Sequence, residues 1–398
     1  MRYCQISLLA MTLALAACGP ASPPEILVPD TPAICQEGPA LTSLEVSPQI
    51  QPIAEQANHM IDANGWIWVL ESGANTVSRY NPSSGVFEAA FVDLGNDRGP
   101  YDLFIDGARG FATNYLANTV SVFDTNSGEV LAELDDPRLV DPSGLAATRA
   151  HLYVTNVEFL GVNRGWGRGS IVVIERDSLE IVGVIPARAK NPQYVTVLDA
   201  GSDSEPGKIA IVSTGELGQV DGRYVQTSLA AVEIWTETED PLAPAKKVFE
   251  LPSPEPGSRV GAPGRALVSP DGASLYMTSA TAPVVFSIDL EQLVWVHGAD
   301  SPIVLYEEDS DTLHSGVLDR DGLLWITSFN QDAVYVLDTS CDELLAGPIP
   351  VGIVDDELEG PIAVVSSSSS SRSQQDVVQP DVYFITSLSK QLGRIEGM

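Results

Sequence analysis

The chain has only four histidines, and two of them, His59 and His314, fall at or near the start of short apolar runs that read as strands. Asp102 stands roughly where His59 does in a following run, and Arg265 takes the place of His314 in the run before it. A histidine titrates near neutral pH, so a His/Asp/Arg group gathered at one opening suits acid–base work. The same residues equally suit the polar lining of a water-filled channel. His151 begins one strand run and His297 lies within another, so both read as structural.

A second set of residues points to binding. The stretches "VEFLGVNRGWGRGS" (157–170) and "GELGQVDGRYVQTS" (215–228) are longer than the equivalent connections elsewhere. The first concentrates Arg164, Trp166 and Arg168, and the second offers Arg223 and Tyr224. Arginine and large aromatics dominate the energetics of interfaces, so the pair of loops reads as a binding lip. Acidic residues gather in other connections: Asp93 and Asp97, Asp135 and Asp136, Glu307 to Asp311, and Asp355 to Glu359. A negative ring at one mouth would attract cations such as calcium. No stretch has the spacing of a calcium loop, and no Cys or His pair has zinc spacing, so no cofactor is expected. Nucleophile elbow, phosphate loop and dinucleotide fingerprint are all missing from the sequence.

The elements that must position these residues repeat. "ANTVS" occurs at residues 74–78 and again at 117–121, and matching segments recur at 170–175, 230–235, 283–289, 333–338 and 391–395. Each follows a strand ending in small polar residues ("FATN", "LYVTN", "LYMTS", "LWITS") and precedes a further alternating run. Within residues 119–124, Val120 and Val122 share one face while Ser121 and Phe123 share the other. Asp-Gly and Asn-Gly punctuate the hairpins. Seven such units of four short strands, at a period of about 40–60 residues, describe an all-β, seven-bladed β-propeller over residues 40–398. The last unit ends one strand short, and residues 41–47 ("LTSLEVS") are expected to supply it and close the ring.

"LYVTN" and "FATNYLANTVSVFDTNSGEVLAEL" resemble the YVTN-family seven-bladed propellers. "GPYDLFID" and "GWIWVLESGANTVSRYNP" are similar to blades of streptogramin-lyase and gluconolactonase-like propellers. These resemblances imply the propeller fold, and the enzymes among them imply a metal-assisted lactone hydrolase or lyase as an alternative to a binding module.

The ends and the charge place the protein in an envelope. Residues 1–17 carry Arg2, an apolar run of 12 residues and then small residues, the pattern of a removed signal and too short to span a bilayer. Leu15-Ala16-Ala17-Cys18 resembles a bacterial lipobox, which implies acylation of Cys18; Gly19 after it implies sorting to the outer membrane. Residues 18–39 follow as a proline-rich tether, about 45 Å long over its first fifteen residues at roughly 3.1 Å per residue. With Cys4 removed and Cys18 acylated, Cys35 and Cys341 remain, and in an oxidising compartment they are expected to pair. Against 54 acidic residues stand 21 bases, a net charge of −33 that excludes nucleic acid and leaves the lipid as the membrane contact. The reading is of a monomeric, lipid-tethered binding module whose partner or small-molecule ligand is unknown.

Overall fold

A computed structural model describes residues 44–397 apart from 163, 203, 221–222, 254–260, 308–310, 353–357 and 368–380. The signal, Cys18, the tether, Cys35, Glu308, Asp309, Asp355 to Glu357 and most of the serine-rich stretch between the first two strands of blade 7 lie outside the described residues.

Among the described residues every regular element is a β-strand. The strands form seven antiparallel blade sheets and two small two-stranded sheets inserted within blades 3 and 4; blade 5 carries a short fifth strand, Ile303–Val304, and blade 7 draws on both ends of the described chain. Blade 1 runs from Ala57–Ala63 to Val86–Asp93, blade 2 from Pro100–Asp106 to Val130–Asp135, and blade 3 from Pro142–Ala147 to Ile181–Pro186. Blade 4 spans Pro192–Asp199 to Ala245–Leu251, blade 5 Pro263–Val268 to Val294–His297, and blade 6 Gly316–Leu318 to Glu343–Pro350. Blade 7 takes Pro361–Ser366, Val382–Thr386 and Gln391–Gly397 from the C-terminus, and Leu44–Pro52 from the N-terminus as its outer strand. Leu44 pairs with Gly397 and Pro52 with Gln391, so the first and last strands close the ring.

Alternation explains why these sheets stack. Thr119–Asp124 is buried on both faces because each face meets a neighbouring blade. Val120 and Val122 pack with Leu145, Leu152 and Val172 of blade 3, while Phe123 packs with Trp68, Leu70 and Val77 of blade 1. Seven apolar clusters arise this way, one between each pair of adjacent blades, including blades 7 and 1. No blade has a core of its own, so stability is a property of the closed ring.

The repeated words also have local jobs. Asn75 and Asn118, the Asn of each "ANTVS", adopt φ of +59° and +58° in the turn before the third strand. A left-handed turn residue tolerates this with least cost when it is Gly or Asn. Asn75 Oδ1 accepts from the amides of Arg98 and Gly99 at 2.9 and 2.8 Å, and Asn118 Oδ1 from that of Asp141 at 2.7 Å. Each copy therefore fixes the entry to the next blade. Asp332 does the same for Glu359 and Gly360.

Candidate binding face and channel mouth

Six of the seven inner strands begin with a bulge in their pairing to the second strand, for example between Ala57 and His59, Pro100 and Leu103, and Pro263 and Ala266. A bulge re-aims side chains at the end of a strand. The threonine near the end of the second strand holds it: Thr113 Oγ1 accepts from Asp102 N at 3.0 Å and Thr155 Oγ1 from Gly144 N at 2.8 Å. This is the work of the Thr in "VTN".

The bulges bring three of the four mouth candidates together. His59 Nε2 lies 3.1 Å from Asp102 Oδ1, and Arg265 Nη2 lies 3.7 Å from the same oxygen. Asp102 also accepts from Leu103 N at 3.1 Å and, through Oδ2, from Leu145 N of blade 3 at 2.9 Å. Behind Arg265 the Tyr194 ring sits 5.2 Å from the guanidinium carbon, and Gln193 bonds the Tyr101 hydroxyl. Burial drives His59 well below the usual imidazole range, and the Arg265 charge adds to this. The His59–Asp102 contact is thus a close approach of a neutral ring to the carboxyl and not an ion pair. Burial raises Asp102 while Arg265 and the two amides pull it back. Two backbone amides donate to this carboxyl while the Arg265 guanidinium lies beside it. Bonded to the Leu145 amide and facing His59 and Arg265, Asp102 acts as a staple joining blades 1, 2, 3 and 5.

His314 does not join them. Ser315, whose amide meets Thr327 Oγ1 at 3.1 Å, occupies the place equivalent to Asp102, and His314 stands one residue earlier. The equivalence of His314 with Arg265 is corrected accordingly: Ala266 pairs with Met277 and Gly316 with Ile326, so the residue matching Arg265 is Ser315, as counting back from Asp271-Gly272 and Asp321-Gly322 also gives. The His314 ring packs edge-on to Phe329 at 5.3 Å, and burial lowers its pKa to about 4. Unfolded, the ring titrates at its ordinary value near 6.5, so the unfolded chain takes up the proton first as pH falls. The stability from a neutral His314 is complete above pH 6.5 and is lost toward pH 4, by up to about 3 kcal/mol. Urea unfolding at pH 7 and 4.5 should show a smaller acid loss in His314→Gln than in the parent; equal losses in both would refute it.

The lip residues sit on two extra hairpins at the same face. Blade 3 carries Phe159–Gly161 paired with Gly165–Trp166, and blade 4 carries Leu217–Val220 paired with Arg223–Gln226. The "GWGRG" run is a built loop. A Cβ on Gly167 would overlap the Glu158 carboxylate, and one on Gly169, at φ +70°, would overlap the Pro192 ring. Glycine at these places lets the chain lie close, and Trp166 and Arg168 between them line an open pocket of about 490 Å³. Trp166 is half-buried against Phe159, with ring centroids 5.2 Å apart, and Arg168 is exposed. Arg164 is exposed nearby, Tyr224 is half-buried on the second hairpin, and Arg223 opens that hairpin's second strand.

The opposite wall comes from Arg188 and Lys190, in the connection between blades 3 and 4. Sequence reading missed both, although "ARAK" (187–190) places two bases together in a connection of an acidic chain. Arg188 is paired with Glu250, and Lys190 Nζ meets Glu216 Oε1 at 2.8 Å.

The described acids of the connecting loops turn largely inward on their own loops. Asp136 pairs with Arg138 at 2.8 Å, which with that residue's amide holds it at about 2. Asp93 accepts from Gly95 N, and Asp311, raised to about 6 by burial, accepts from Ser328, Tyr306 and two amides. Among the described residues no group of three or more His, Cys, Asp or Glu is placed to hold a metal ion. His151 and His297 lie on strands, bonded to Glu237 and Asp342.

No protein-family model matches the chain, and neither does any curated protein sequence. Its shape, however, is shared. The chain is similar in fold to streptogramin B lyase. That match has a TM-score of 0.62 at 15% identity and covers 89% of this chain and 97% of the lyase. A catalytically inactive histidine-to-alanine variant of virginiamycin B lyase from Staphylococcus aureus, solved with quinupristin, matches at 0.58 and 14% identity over 91% and 99% of the two chains. Kuenenia stuttgartiensis hydrazine synthase matches at 0.60 and 14% identity, over 92% and 99%. At such identities the likeness establishes the seven-bladed propeller and nothing finer.

Proposed function

We propose that the protein is an extracytoplasmic binding module, tethered through Cys18 to the bacterial outer membrane, that takes a partner or ligand on the face carrying the two hairpins of blades 3 and 4. One observation carries this reading: His59, Asp102 and Arg265 at the channel mouth are held against one another, whereas Trp166 and Arg168 are offered to an open pocket. The lipobox and proline-rich segment support the tether, and the place of Cys341, in the turn after Ala333–Asp338 of blade 6, supports its pairing with Cys35. Blade 6 adjoins the blade that the N-terminal strand closes.

Val162 and Val220, 67% and 53% exposed on the two hairpins, are suited to report contact. A photo-crosslinking residue placed at either in the full chain, in its native envelope, should capture a partner. One at Asp177, in a turn at the other end of blade 3, should not. Capture from Asp177 alone, or none from the hairpins, would sink the reading.

A lyase or metal-assisted lactone hydrolase is the second reading. It is favoured by His314, a neutral imidazole near the mouth with no hydrogen-bond partner among the described residues. Metal content of the chain purified without chelator separates the two, since one metal per chain lost in His314→Gln belongs only to the enzyme.

A further inference from the structure

We infer that the pocket between blades 3 and 4 binds a planar aromatic ring bearing a single carboxylate. The inference rests on the binding-face reading and names the chemistry of its ligand. Among the described residues three bases and no acid line the pocket, on a chain where acids outnumber bases 54 to 21. Of these, Arg188 and Lys190 are neutralised by Glu250 and Glu216, so they frame the site without supplying free charge. Arg168 has no carboxylate partner among the described residues, and its flat guanidinium matches a carboxylate in two-pronged fashion. Trp166, braced by Phe159, presents an indole for ring contact, and Leu229 and Ala189 complete an apolar floor. Ser228 Oγ accepts from Glu216 N at 2.8 Å, which leaves its proton to donate into the pocket. A volume of about 490 Å³ lies in the range of pockets for small organic ligands. One negative charge is favoured over several because each further charge meets the repulsion of the −33 surface while Arg168 can satisfy only one.

This chemistry has two sources, a free aromatic acid or the C-terminal aromatic residue of a peptide. Calorimetric titration of the full chain with Cys18→Ser, using 2-naphthoate and Gly-Gly-Trp, each beside its carboxamide, tells them apart. Binding of naphthoate alone assigns the free acid, and binding of the peptide alone assigns a chain terminus. In either case the acid should bind at least about tenfold tighter than its amide, and Arg168→Gln should abolish that preference. Trp166→Ala should weaken acid and amide alike while the melting temperature stays unchanged. No heat from either acid, acid and amide of equal affinity, or an acid preference that survives Arg168→Gln would each overturn the inference. If the probes fail while Val162 and Val220 still crosslink, the pocket chemistry falls and the binding face stands.

Discussion

Replacing Asp102 with alanine should cost about 3–5 kcal/mol of unfolding free energy, the largest effect expected of any single substitution in this protein. The carboxylate accepts from the amides of Leu103 and Leu145 and is the common contact of His59 and Arg265. Its removal strands a largely buried guanidinium and two buried amides whose solvation was given up on folding, and such groups cost far more unpaired than the pair gains when formed. Asp102→Asn keeps one acceptor oxygen and places an amide beside Arg265 and His59, so it should recover part of the loss. Double replacement of Asp102 and Arg265 by apolar residues should cost less than the two single changes summed, because no charge is then left alone. Urea unfolding of the four proteins measures this. A loss below about 1 kcal/mol for Asp102→Ala would show that water reaches the cluster and that the staple is not one.

The second large effect concerns closure. A chain lacking residues 1–39 should melt like the parent apart from any contribution of Cys35, whereas one lacking residues 1–53 should unfold without a cooperative transition or aggregate. The added deletion takes Leu44–Pro52 out of blade 7 and with it Leu44 and Val46, packed near Val364, Phe384 and Ile395. Ile50 and Ile53 leave the cluster between blades 7 and 1. Ile53 is buried and the other three are half-buried, so at up to about 1.5–3 kcal/mol for full burial of each their loss takes a large share of the stability of a typical domain. The unpaired edge of Gln391–Gly397 is also laid open to pairing with another chain. Scanning calorimetry of the two truncations decides the matter. Equal melting temperatures would mean that the ring holds without its N-terminal strand.

The blades, their number and their closure are legible in the amino-acid sequence. Strand alternation such as Val120/Val122 against Phe123, and turn residues such as Asn75 and Asn118, act within a few residues of themselves, so a linear reading recovers them. The staple is legible there only as residue types. That His59, Asp102 and Arg265 meet depends on three inner strands of different blades converging at one mouth, which residue types do not encode, whereas His314 stands one residue before the matching position, Ser315. Their chemistry differs as well, since burial and converging amides turn an acid–base candidate into a tie between blades. The lip shows the opposite limit. Its Trp and Arg are visible in "GWGRG", but Arg188 and Lys190, which form the opposing wall, come from a separate connection brought alongside by blade packing. By itself the sequence determined the repeating elements, because they are set by local geometry. Only the tertiary structure decided which side chains share a site, because that depends on how seven sheets close around one axis.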